Sequence, residues 1–199
     1  MLLDVTRNKE DQEEFLETAS RLSDECFAPM AMGGKIKNVE QAQRLFRDYG
    51  ADKISINTAA IDDPDLISRM ADKFGSQSVV LSIDVEDGEV VTDCGRRPTG
   101  RDALEWAEEG IERGAGEILL MSIPKDGSLM GYDLELCKRV SKVNVPTLIH
   151  GGAGSWKHFV DGINAGASGV CTQNIYHFTE SSIQAAKTFM SENGVPTRL

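Results

Sequence analysis

The sequence predicts an α/β chain of (β/α)8 TIM-barrel type that lacks its first βα unit, with about seven parallel strands and a small inserted hairpin. Three observations carry this prediction. Short β-branched runs alternate with longer amphipathic stretches along the chain, the pattern of strands feeding crossover helices. A unit of strand, Gly-Gly, helix, Gly-Ala, strand occurs twice: first with Pro29, Gly33-Gly34 and Gly50-Ala51, then roughly 117 residues later with Pro146, Gly151-Gly152 and Gly166-Ala167. The chain has 199 residues, and such barrels usually need about 250, a shortfall of about one βα unit. The expected organisation is one incomplete barrel domain over residues 1–199, with matching half-barrel segments near 29–58 and 146–174. An open doubly wound sheet explains the alternation equally well, and only the repeat separates the two.

The elements follow in order. Leu2–Val5 reads as the end of a strand, so the chain opens inside one. Asp11–Cys26 has Phe15, Leu16, Ala19, Leu22 and Cys26 at helical spacing. Ala28–Met32 is a strand entering Gly33-Gly34, and Asn38 with Gln41 forms a capping box for a helix that stops at Gly50. Lys53–Asn57 is a strand. Asp62-Asp63 cap a helix from Pro64 to about Phe74. Ser78–Asp84 is the most apolar run and ends in a carboxylate, and Asp87-Gly88 is a hairpin turn between two short strands. Arg101–Arg113 is a helix, Glu117–Ile123 a strand, Leu134–Val143 a helix and Val145–Ile149 a strand. Trp156–Ala165 is a helix, Gly169–Thr172 a strand and Ser181–Asn193 the last helix.

Composition limits the functions open to this chain. Acidic residues number 32 against 21 basic, a formal charge of −11, which opposes nucleic-acid or anionic-membrane binding over a broad surface. It leaves room for a small cationic pocket. Cys26, Cys94, Cys137 and Cys171 form no CxxC, and no histidine pair has metal-ligand spacing, so neither a metal nor any other cofactor is expected. Asp4 and the charged stretch after Arg7 interrupt any signal-peptide pattern, and the cytoplasm is the expected location.

Chemistry in a parallel barrel sits at the carboxyl ends of the strands. Those ends read Asp4, Gly33-Gly34, Asn57-Thr58, Asp84, Asp126-Gly127, Gly151-Gly152 and Gln173-Asn174, a polar and glycine-rich set unlike a core. Each Gly-Gly pair precedes a helix, where backbone N–H groups and the helix dipole favour an anion. Two such loops suit a substrate with a phosphate at each end, and each also reads as a plain tight turn. Asp84 has the position of a general acid or base, and a structural aspartate capping the next loop is its alternative. Asp126 reads as a ligand for substrate hydroxyls or as part of an Asp-Gly turn. Asp4 reads equally as a substrate ligand or a brace.

The strand-end residues resemble the cyclase family of imidazole glycerol phosphate synthase. The resemblance rests on Gly50–Ala60 (GADKISINTAA), on Phe74-Gly75-Ser76-Gln77 leading to Ser82-Ile83-Asp84, and on Gly114–Leu120 (GAGEILL). It also rests on Asp126-Gly127 with Gly131-Tyr132-Asp133, on Gly151–Gly154 and on Tyr176-His177-Phe178, and it is collinear across essentially the whole chain. It implies an ammonia-dependent lyase of histidine biosynthesis. That enzyme takes ammonia from a glutaminase subunit and converts an elongated bis-phosphate ribonucleotide to imidazole glycerol phosphate and aminoimidazole carboxamide ribotide. The resemblance makes Asp84 the second of two catalytic aspartates, Lys53 and Glu117 members of the ammonia gate, and Asn57, Thr58 and Asp126 substrate contacts. Gly33-Gly34 and Gly151-Gly152 become the two phosphate sites.

The departures are local. The family's first strand, with the first catalytic aspartate, would precede Met1. Lys35 stands where a third glycine is expected, Pro124 replaces an aspartate, Met121 a small hydroxyl residue and His150 a serine. Gln173-Asn174 replaces a small pair whose backbone meets phosphate. These changes crowd both anion loops and resemble divergent copies used in amidation of surface-polysaccharide sugars. Three functions are therefore expected in competition: the cyclase, such a divergent paralogue, or a silent barrel fragment that binds a partner. Open strand edges, with a homodimer as one means of covering them, follow from a missing unit.

Overall fold

The computed structural model describes residues 1–6, 8–173, 175–178 and 183–198. The chain forms two compact units, Met1–Ser82 with Glu109–Glu117, and Ile83–Glu108 with Ile118–Leu199. No helix among the described residues is long and apolar enough to cross a membrane.

The first unit contains β1 (Leu2–Leu3), α1 (Lys9–Glu25), β2 (Ala31–Gly33), α2 (Val39–Asp48), β3 (Lys53–Ile56), α3 (Thr58–Asp62), α4 (Asp65–Phe74) and the start of β4 (Val79–Glu86). The strands pair in parallel and in chain order: Leu2 opposite Met32, Ala31 opposite Lys53, Ile54 opposite Val79. Met32, Ile54, Leu66, Ile67, Met70, Val79 and Leu81 are almost fully buried and form its core. Asn8 caps α1 by accepting the Asp11 N–H at 2.8 Å. Asn38 caps α2 through the Gln41 N–H at 2.9 Å, and Gln41 reaches back to the N–H of Lys37, one residue beyond a standard capping box. Of the expected Asp62-Asp63 cap, the Asp63 carboxylate accepts the Asp65 N–H at the start of α4. Asp62 ends α3, and Pro64 stands at the N-cap in a helical conformation with no side-chain cap bond.

The second unit holds the end of β4, the hairpin β5 (Glu89–Thr92) and β6 (Arg97–Asp102), and most of α5 (Ala103–Glu112) and β7 (Glu117–Ser122). It continues with α6 (Leu134–Val140), β8 (Thr147–His150), α7 (Trp156–Asn164), β9 (Gly169–Val170), α8 (Ile175–Phe178) and α9 (Ile183–Glu192). β7, β8 and β9 are parallel neighbours. Among the described residues, seven strands of parallel type therefore alternate with helices, with one hairpin inserted, as the fold class requires.

Several boundaries differ from expectation, each for a physical reason. β4 does not stop at Asp84: it runs on to Glu86 because Asp84, Val85 and Glu86 pair antiparallel with Val91, Val90 and Glu89. Asp87 and Gly88 both take positive φ, the conformation a two-residue hairpin turn demands. The helix expected from Arg101 begins at Ala103, since Arg97–Asp102 is drawn into the hairpin as β6. α6 ends at Val140, where the Ser141 N–H returns to the Cys137 carbonyl. Part of the span expected as the last helix, from Ser181, lies outside the described residues.

Candidate functional site

In the first unit, Asp4 gathers a network of its own. Its side chain is 4% exposed. Oδ1 accepts the Thr6 N–H at 2.9 Å and the Thr6 hydroxyl at 2.6 Å, and Oδ2 accepts Gln12 Nε2 at 2.6 Å. Lys35 Nζ lies 3.4 Å from Oδ1 and also donates to the Thr6 hydroxyl. Burial pushes the carboxyl up, but the hydrogen bonds from Thr6 and Gln12 and the charge of Lys35 outweigh it and hold Asp4 below the usual carboxylate range. Thr6 and Gln12 lie 2 and 8 residues from Asp4 in sequence and Lys35 comes from the first glycine loop, an arrangement able to brace this end of the chain. Thr6, two residues after an aspartate, was readable as an Asx-type turn; Gln12 left no comparable signal.

The first glycine loop packs on this brace. The Asp4 N–H donates to the Gly33 carbonyl at 2.8 Å. A Cβ on Gly34, at φ +89°, would meet the Asp4 carbonyl oxygen at 2.3 Å. Lys35 follows in the left-handed region at φ +58°, the slot of the expected third glycine. The strained backbone and the Lys35–Asp4 pair belong together: the turn delivers the ammonium to the carboxylate.

Asn57 follows β3 and stands at the N-cap of α3, its side-chain oxygen buried and without a hydrogen-bond partner. Thr58 begins α3. Lys53, at the start of β3, forms a half-buried ion pair with Glu117, at the start of β7. The two residues are 64 apart in sequence, and the fold joins them at the amino ends of their strands, where the resemblance puts an ammonia gate.

In the second unit, Asp84 lies within β4 opposite Val91. Asp126, Gly127, His150, Gly151, Gly152 and Gln173 line one small cavity of about 20 Å³, room for about one water. Asn174 lies outside the described residues. A Cβ on Gly152, at φ +98°, would meet the Gly131 carbonyl oxygen at 2.2 Å. Packing against the chain's own backbone therefore already requires this glycine. Among the described residues the N–H groups of Gly152 and Ala153 have no acceptor, which leaves donors for an anion just before α7. Burial lowers the His150 pKa below 6.5 against the opposite pull of Asp126, so the imidazole is neutral at pH 7. His158 Nδ1 accepts the Gly154 N–H at 3.0 Å and fixes the loop beyond. Tyr132 donates to the Cys171 carbonyl at 2.9 Å, a contact that no local sequence signal announces.

The family model described as "Histidine biosynthesis protein" matches residues 1–182. The imidazole glycerol phosphate synthase subunit HisF of Caulobacter vibrioides (strain NA1000 / CB15N) is 45% identical over 207 aligned residues, covering 100% of this chain and 79% of that protein. The HisF subunits of Chlorobaculum parvum (strain DSM 263 / NCIMB 8327) and Chloroherpeton thalassium (strain ATCC 35110 / GB-78) are 44% and 42% identical, each covering 100% of this chain and 81% of their own length. The parallel strands, the hairpin after β4 and these full-chain identities place the chain in the histidine biosynthesis protein family, as a HisF-like member.

Proposed function

We propose that this chain carries the ammonia-dependent cyclase chemistry of imidazole glycerol phosphate synthase. The observation that supports this most is the identity to HisF subunits along the whole chain. In this reading Asp84 moves protons during imine formation and ring closure, where a carboxyl group can give and then recover a proton. Gly33-Gly34 and Gly151-Gly152 are the two glycine loops of this reading, each suited to a phosphate. Asn57, with its unpaired buried oxygen, accepts a donor from the substrate, beside Thr58. Asp126 takes a substrate hydroxyl, and Gln173 and Asn174 close over the second phosphate. Lys53 and Glu117 gate ammonia delivered by a glutaminase subunit, and their mutual pairing keeps the gate shut at rest.

The test is ammonia-dependent turnover of the bis-phosphate ribonucleotide by the expressed protein, read as release of aminoimidazole carboxamide ribotide. Asp84→Asn is expected to lower the rate at least ~100-fold with an unchanged melt. Wild-type-like turnover by Asp84→Asn would remove Asp84 from the mechanism. One observation favours a second reading: the cavity at Gly151-Gly152 is only about 20 Å³. A divergent paralogue using ammonia on a different acceptor, such as a surface-polysaccharide sugar, would show no turnover of the bis-phosphate but ammonia-dependent amidation of that sugar.

A further inference from the structure

The second unit contains a larger cleft, of about 770 Å³, that none of the roles above uses. It lies between the β4–β5 turn, the carboxyl end of β7 and helix α6, and its volume is that of a small-molecule site. Neither Gly151 nor Gly152 lines it.

The cleft has donors in excess. Ser122 is 4% exposed and lines it, with its hydroxyl open to the cleft as a donor. The Lys125 and Lys142 ammonium groups, also on its wall, have no partner among the described residues. Arg139 is held in place, 3.0 Å from Asp102 Oδ2 and with a long contact of 3.5 Å to the Gly88 carbonyl, while its Nε is buried and unpaired. Buried polar groups normally find partners, and a missing partner costs free energy until a ligand supplies it. One buried unpaired guanidinium N–H and two water-facing ammonium groups around one cleft, in a chain of net charge −11, point to an oxyanion.

The carboxylates refine the ligand. Glu135 is spent on Lys138 at 2.8 Å and one oxygen of Asp133 on capping α6 at 3.0 Å. Asp87 and the other Asp133 oxygen remain on the wall as acceptors. A bare polyanion would be repelled by them, whereas a hydroxylated ligand would donate to them. We propose that this cleft binds a small sugar phosphate, with the phosphate on Ser122, Lys125 and Lys142 and the hydroxyls towards Asp87 and Asp133. The cleft shares the β7–α6 loop with Asp126, so an occupant would rest against the loop that carries a candidate substrate contact.

Calorimetric titration with ribose 5-phosphate tests this without relying on catalysis. Saturable binding is expected, at least about tenfold weaker in Lys125→Gln/Lys142→Gln and about fivefold weaker in Ser122→Ala, which leaves the charge unchanged. Lys35→Gln, in the other unit, is expected to bind as wild type, which separates this cleft from the first glycine loop. Inorganic phosphate is expected to bind more weakly than the sugar phosphate. The proposal is overturned by a wild-type protein without a saturable isotherm, by variants that bind as tightly as wild type, or by equal affinity for the two ligands. If the double variant fails to melt cooperatively, Lys142→Gln alone serves, since its side chain is exposed.

Discussion

Replacing Asp4 with alanine removes the acceptor for the Thr6 N–H, the Thr6 hydroxyl and Gln12 Nε2, at 2.9, 2.6 and 2.6 Å, and the counter-charge of Lys35 at 3.4 Å. A hydrogen bond to a charged group contributes about 1.5–3 kcal/mol net. Thr6 and Gln12 are half-buried and regain some water, so the lower end applies. The Lys35 side chain is 34% exposed, and a solvent-screened pair of this kind adds less than ~1 kcal/mol. The expected loss is about 4.5–5.5 kcal/mol, or roughly 10–20 °C in Tm for a chain of this size. Asp4→Asn keeps an acceptor for Thr6 but sets its amide N–H2 against Gln12, and about 1–2 kcal/mol is expected. Because the folded carboxyl titrates below its ordinary 3.8, its contribution is fully present above that value and is lost as pH falls through the lowered folded value. Urea denaturation followed by circular dichroism at pH 7.5, 5.5 and about 3 checks both parts. A loss under ~0.5 kcal/mol at pH 7.5 for Asp4→Ala, or a gap between wild type and Asp4→Asn that does not narrow in acid, would refute the brace.

Three other outcomes are expected. Gly152→Ala places a Cβ 2.2 Å from the Gly131 carbonyl oxygen at φ +98°, so the loop must move; a destabilisation of about 2–4 kcal/mol and loss of turnover are expected, and a wild-type melt would show the approach to be soft. His150 is buried neutral with its pKa below 6.5, so it supports the fold above 6.5 and withdraws that support as pH falls through the lowered value; His150→Asn is expected to have a flatter stability profile between about pH 7.5 and 5, and identical slopes would reject the assignment. Lys53→Met strands the Glu117 carboxylate, whose side chain is 18% exposed, and is expected to lower stability by about 1–3 kcal/mol, with Lys53→Met/Glu117→Leu recovering part of it; no recovery would mean that the two do not couple.

Much of the first unit was readable because its signals are local. Asn38 and Gln41 sit three apart, and their cap appears with only a one-residue change of partner. The alternation of apolar runs with amphipathic stretches places β3, α2 and α7 within a few residues, since burial on one face sets the period. The hairpin was half-legible. Asp87-Gly88 announced the turn, but β6 is the exposed sequence Arg97–Asp102, with charges, a proline and a glycine that carry no strand signal. Pairing with β5 made it a strand, and the pairing of β4 with the same β5 moved Asp84 from a strand end to a strand interior.

By itself the sequence determined the fold class, the family and the residue types at the candidate site, because periodicity, turn glycines and long motifs are properties of neighbours in the chain. Only the tertiary structure decided how those residues are spent. Asp4 is consumed by Thr6, Gln12 and Lys35, and Lys53 meets Glu117 across 64 residues. Lys35 occupies a glycine's backbone slot in order to reach Asp4. Arg139, unremarkable as a letter, leaves its buried Nε unpaired in a cleft. Hydrogen-bond supply and demand is settled in three dimensions, where burial removes water as the default partner.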